Sequence, residues 1–187
     1  MIRAFIAVEL PETLREEAAA FGQELKRSGA DVKWVEAANL HLTLKFLGDI
    51  TQEQLSSLTP ALEQTCAGLS PFPFSVEGIG AFPKTTYPKV LWVGVHEGKE
   101  QLEGLAKRLE DACAALGFPA EERPFSPHLT IGRVRSQEKI ARLIKQLQLA
   151  EFAGSAPARA ERVTLFQSTL GPKGPAYTPL AEIPLGG

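Results

Sequence analysis

The chain has 187 residues, 44% of them apolar, and a formal net charge of −2. That is enough apolar material for one sizeable core, in one domain or in one built from two similar lobes. The near-neutral charge excludes a global basic field for a long nucleic acid, while a local group of Lys and Arg could still bind a single phosphate.

Arg3 to Leu10, RAFIAVEL, is rich in apolar and β-forming residues and reads as a strand. Pro11 opens a helix whose stripe is Leu14, Ala18, Phe21 and Leu25. Acidic residues lie early in it, basic ones late, and Gly29 closes it. Val32 to Val35 is a short strand, and NLHLTLKFLGD holds the next. Thr51 and Gln54 form a capping-box signature for a helix with Leu55, Leu58, Leu62, Cys66 and Leu69 inward, which Pro60 is expected to kink or split. Phe74 to Phe82 is a strand leading into the loop PKTTYP, and Lys89 to Glu97 is a further strand. A helix follows with Leu102, Leu105, Leu109, Cys113 and Leu116 inward, closed by Gly117. SPHLTIGRV is again a strand, and Ser136 is expected to cap a helix carrying Ile140, Leu143, Ile144 and Leu147. Glu161 to Leu170 is strand-like, and GPKG turns into a last strand, AYTPLAEIPL.

Each half therefore reads strand, helix, strand, helix, strand, a repeat of element order that suggests a pseudo-twofold axis. The opening MIRAFIAVELPE is interrupted too soon by Glu9 and Pro11 to be a signal peptide, and no apolar run reaches membrane-spanning length. A cytoplasmic location is expected. Cys66 and Cys113 fall at apolar helix positions and are expected to be buried thiols.

Two of the three histidines stand in one context, His41-Leu-Thr43-Leu and His128-Leu-Thr130-Ile. With eleven threonines in the chain, two of three histidines having Thr two places on is about a one-in-a-hundred coincidence. On a strand, Leu42, Leu44 and Phe46 share a core face, while His41, Thr43 and Lys45 share the other. In the second motif Leu129 and Ile131 go inward, and His128 and Thr130 face outward together. Arg133 has the wrong parity for that face unless Gly132 hosts a bulge.

An imidazole titrates near neutral pH, so a pair across a cleft can serve as acid and base in one reaction. Transfer at phosphorus needs attacking and leaving oxygens in line, with the equatorial oxygens' charge stabilised between them. Two histidines suit the line. Thr43, Thr130 and a cation, Lys45 or Arg133, suit the oxygens. The sequence holds no G-x-x-x-x-G-K-[ST] loop, no G-x-S-x-G elbow and no H-x-H or H-E-x-x-H spacing. No metal and no cofactor are therefore expected, and His96 reads as a solvated residue. For base contacts the candidates are Trp34, Phe46, Phe125 and Tyr87, with Phe46 read as core and Trp34 as packed.

HLTLKFLGD and FSPHLTIGR resemble the paired H-x-T-x motifs of the 2H phosphoesterase superfamily. The stretches RAFIAVELP, WVEAANLHLTLKFLGD, FPKTTYPKVLWVGV, RPFSPHLTIGRV and LFQSTLGPKGPAYTPL resemble the bacterial and archaeal RNA 2′,3′-cyclic phosphodiesterases, also called 2′-5′ RNA ligases, nearly end to end. The resemblance implies an α+β fold in which residues 1–187 form one bilobal domain. Each pseudo-symmetric lobe would have an antiparallel sheet and outer helices, with the active cleft between them. It implies hydrolysis of a 2′,3′-cyclic phosphate at an RNA end to leave a 2′-phosphate, without metal or cofactor. His41 and Thr43 match the first motif, His128 and Thr130 the second, and Arg133 the arginine kept after it. Lys45 has no such counterpart and rests on its strand position.

In the family His41 would protonate the leaving 3′ oxygen and His128 activate water, although on sequence the two motifs are interchangeable. The expected partners are RNA ends or nucleotides with a cyclic phosphate, tRNA fragments included, handled by a monomer without a membrane. Two alternatives share the cleft: a 2′-5′ RNA ligase joining tRNA halves, and a non-catalytic nucleotide-binding module.

Overall fold

Ala4, Ile6 and Val8 alternate with Phe5 and Ala7, so the first strand is apolar on both faces, and all five side chains are buried. The computed structural model describes residues 1–154, 156–172 and 174–186. Its elements run Ile2–Glu9 (β1), Glu12–Lys26 (α1), Val32–Trp34 (β2), a 3-10 turn at Ala37–Asn39, His41–Ile50 (β3) and Gln52–Cys66 (α2). Phe72–Phe74 (β4), Val76–Lys84 (β5), Tyr87–Val95 (β6), Lys99–Ala115 (α3) and His128–Val134 (β7) follow. Ile140–Leu149 (α4), Ala158–Ala160 (β8), Arg162–Gly171 (β9) and Gly174–Pro184 (β10) complete the chain.

The strands form two four-stranded antiparallel sheets, ordered β10-β9-β1-β3 and β2-β7-β6-β5, with β4 and β8 as a separate pair. The repeat of element order is present, but the halves exchange parts. β1 and β3 of the first half are joined by β9 and β10 of the second, and β6 and β7 by β2 and β5. The helices cross over as well. α1 follows β1 yet packs on β2 and β7, and α3 follows β6 yet packs on β3. One buried apolar cluster consequently contains residues from both sheets and all four helices. The remaining face of each sheet is left for the cleft.

Most helix stripes form as their periodicity predicts. Leu14, Ala18, Phe21 and Leu25 are buried in α1, and Leu102, Leu105, Leu109 and Cys113 in α3. The Thr51–Gln54 capping box has both of its hydrogen bonds. Leu116, expected inward at the end of α3, is exposed, and two further helix expectations fail. α2 runs unbroken through Pro60, because the carbonyl orphaned by the missing N–H belongs to Ser56 on the exposed side, where water can reach it. Ser136 does not cap α4; the helix begins only after Lys139, which takes a left-handed conformation without a side-chain cap. The expected PKTTYP loop is mostly strand, since β5 and β6 form a tight hairpin. In the turn before β10, Lys173 lies outside the described residues. No helix among the described residues is long and apolar enough to cross a membrane.

Candidate active site

The two motif strands repeat one local construction. Residues two places before each histidine curl back so that the imidazole Nδ1 meets their carbonyl oxygen. The His41 Nδ1 to Asn39 O distance is 2.7 Å, and His128 Nδ1 to Ser126 O is also 2.7 Å. A carbonyl only accepts, so each Nδ1 carries the proton and each Nε2 is left as the free, basic nitrogen. The Asn39 side chain anchors the first lead-in to the sheet by donating to Pro175 O at 3.0 Å.

Aromatic side chains fix each ring from the other side. His41 stacks on Phe5 with centroids 4.8 Å apart and meets the edge of Tyr177 at 5.1 Å. His128 stands edge-on to Phe82 at 5.0 Å, with Trp92 at 6.4 Å. Phe5, Ala7 and Phe166 form a small buried cluster, separate from the main core, against which Tyr177 packs. Sequence reasoning missed these supports. The signal was present in RAFIAVEL, where Phe5 and Ala7 make the second face apolar and therefore in need of a covering.

Burial holds His41 down at about 4, against a smaller upward pull from its carbonyl partner. His128 is also lowered by burial, with the Ser126 carbonyl acting to raise it and Arg133 to lower it. Both imidazoles are thus kept neutral in the free protein.

Arg133 reaches the cleft by the bulge that Gly132 suggested. Thr130 pairs with Trp92 and Gly132 with Leu91, so Ile131 is the extra residue, and parity reverses after it. Arg133 then faces the same side as His128 and Thr130. Its charge acts on His128 and also on Tyr177 of the opposite sheet, so it lies where the two sheets face each other. Lys33 stands beside it across the β2–β7 ladder. β3 packs directly against β7, which brings the two motif strands together. Thr43 and Thr130 are half-buried, each on the face of its own histidine.

Lys45 does not reach the cleft. Thr43 pairs with Ala7 and Lys45 with Ile6, so a bulge at Leu44 turns Lys45 to the core face. There it is 2% exposed, donating to Glu110 Oε2 at 2.8 Å and to Pro119 O at 2.9 Å. The same bulge turns Phe46 out of the core, so its expected burial fails as well. Trp34 is packed, lying on Gly22 of α1 and on Gly132. Phe125 packs against the main core, Tyr87 sits at the β5–β6 hairpin beside Lys89, and His96 is solvated as expected. Among the described residues no three His, Cys, Asp or Glu side chains are placed to hold a metal ion.

The family model of the 2′-5′ RNA ligase superfamily matches residues 14–171. An RNA 2′,3′-cyclic phosphodiesterase of Methanothermobacter thermautotrophicus is 41% identical over 95% of both chains. One from Archaeoglobus fulgidus is 39% identical over 96% of this chain and 98% of its own. The crystal structure of E. coli LigT complexed with NADP+ superposes with a TM-score of 0.80 at 26% identity, covering 100% of this chain and 98% of that one. The matched family model and these relatives show that the chain belongs to the 2′-5′ RNA ligase superfamily.

Proposed function

We propose that the protein is an RNA 2′,3′-cyclic phosphodiesterase that opens terminal cyclic phosphates by acid–base catalysis between His41 and His128. The observation that carries this reading is the duplicated fixing of the histidines, each with Nδ1 on a carbonyl and Nε2 free. In the reaction one Nε2 takes a proton from water as the water oxygen bonds to phosphorus. The bond from phosphorus to the 3′ oxygen breaks, and the other imidazole, protonated at Nε2, gives that oxygen its proton. The product carries a 2′-phosphate and a free 3′-hydroxyl. Thr43, Thr130 and Arg133 would hold the equatorial oxygens.

The family resemblance makes His41 the acid and His128 the base. Arg133 supports that division, since its charge disfavours a proton on His128. Burial opposes a proton on His41, and a bound phosphate anion favours one. We further infer that residues 1–187 act as one bilobal domain, as a cytoplasmic monomer acting on RNA ends that include tRNA fragments. The core shared by both sheets supports the single domain. E. coli LigT is recorded in complex with NADP+, a nucleotide bearing a ribose 2′-phosphate, which fits the product assigned here.

The test is turnover of a nucleoside 2′,3′-cyclic phosphate in EDTA, followed by phosphorus NMR. A 2′-monophosphate is expected, with His41→Ala and His128→Ala each slower by about 10²–10⁴-fold. Full activity in both variants would refute the reading.

A further inference from the structure

Lys33 is the cross-strand partner of Arg133, so the two side chains leave the β2–β7 ladder on the same face. The neighbours of Lys33 define which face that is. Val32 and Trp34 turn the other way, toward the main core, and a Cβ on Gly132 would meet both of them. α1 covers that inner side, packing on β2 and β7. Lys33 therefore stands on the cleft side with Arg133, His128 and Thr130, at the margin of the sheet, because β2 is its edge strand.

Both cations are exposed, and among the described residues neither takes part in an ion pair. Asp31, two residues back along the same face, lies instead opposite Arg135, whose N–H its carbonyl accepts at 2.9 Å. Arg3 borders the same end of the cleft from the opposite sheet, since its charge and that of Arg133 both act on Tyr177. A chain with a net charge of −2 thus gathers positive charge at one end of its cleft. A cyclic phosphate carries a single negative charge, which Arg133 meets. In a mononucleotide the cation beside it has no anion to bind.

We propose that Lys33 contacts the phosphodiester on the 5′ side of the terminal nucleotide and so forms a subsite for an RNA chain, an assignment that rests on the phosphodiesterase reading. Consecutive phosphates of RNA are joined through one ribose, so the second must follow the first closely. Directly opposed residues have Cβ atoms about 4.5–5.5 Å apart, and flexible stems let two such heads reach adjacent phosphates. The planar fork of Arg133 suits the reacting phosphate. Lys33, a mobile point charge, suits a linkage that need not be held rigidly. The subsite reads backbone charge and no base, so it favours an RNA end over a free cyclic nucleotide whatever the sequence.

The experiment pairs a change in the ligand with a change in the protein. KM is measured for a dinucleotide ending in a 2′,3′-cyclic phosphate, and for the same dinucleotide with a neutral methylphosphonate linkage, in wild type and in Lys33→Met. Removing the linkage charge should raise the wild-type KM about two- to fivefold, the usual range for an exposed ion pair, and should move that of Lys33→Met far less. An equal rise in both proteins, or no rise in wild type, would leave Lys33 as a solvated charge on an edge strand and overturn the subsite. Wild-type protein that opens neither the dinucleotides nor a nucleoside 2′,3′-cyclic phosphate would instead overturn the phosphodiesterase reading, and the subsite with it.

Discussion

His41 should carry a pH-dependent share of the folding free energy, separable from every other titrating group by one substitution. Its imidazole has an ordinary value of 6.5 and is held at about 4 in the folded protein by burial. Between those values the unfolded chain binds a proton that the folded chain does not. The contribution is therefore fully present above pH 6.5 and is lost as the pH falls toward 4. Applying the linkage relation between pH 7.5 and 4.5, wild type should lose about 2.5 kcal/mol more than His41→Gln, which cannot titrate there. Every other titrating group is common to both proteins and drops out of the difference. Urea unfolding at the two pH values reads the effect directly. With a slope of about 2–3 kcal/mol per molar, the wild-type midpoint should move about 1 M further than that of the variant. Equal displacement of both midpoints would mean that the ring is solvated, and that the neutral, carbonyl-bound imidazole assigned here is wrong.

The Lys45–Glu110 pair should respond asymmetrically in the same unfolding assay. Glu110→Ala strands an ammonium group that is 1% exposed and should cost about 3–5 kcal/mol, whereas Lys45→Met leaves a carboxylate 26% exposed to water and should cost less than half of that; equal losses would refute the buried placement of Lys45. Gly132→Ala would put a Cβ 2.9 Å from Val32 Cγ1 and 3.1 Å from Trp34, so a loss of about 1–3 kcal/mol is expected, and an unchanged midpoint would show that Trp34 does not pack there. A Cβ at Gly80 would overlap the Trp92 indole, so Gly80→Ala should lower kcat/KM through the displaced support of His128, and wild-type kinetics would contradict that support.

The sequence makes the strands, the helix stripes and the paired motifs legible because each depends on neighbours a few residues away. Leu14 to Leu25 and Leu102 to Cys113 pack as their spacing predicts. What escaped it depends on distant partners. Element order cannot tell which sheet a strand joins, so the exchange of β5 and β9 between the halves is invisible until pairing is known. Strand parity alone puts Arg133 on the wrong face, and only the bulge that Gly132 allows keeps the cleft open to it. The matching bulge in β3 has no glycine to announce it. Its stabilising partner, Glu110, is 65 residues from Lys45, and so strand parity alone puts both Lys45 and Phe46 on the wrong face. The kink expected at Pro60 fails for a related reason, since the exposure of Ser56 is a tertiary property.

The most direct test of paired histidine catalysis is the pH dependence of kcat/KM for a nucleoside 2′,3′-cyclic phosphate, measured in EDTA for wild type, His41→Ala and His128→Ala. The account predicts a bell for wild type, its acidic limb reporting the base, His128, and its basic limb the acid, His41, with His128→Ala losing the first and His41→Ala the second. A wild-type profile with a single limb, or a bell that survives unchanged in either variant, would contradict it.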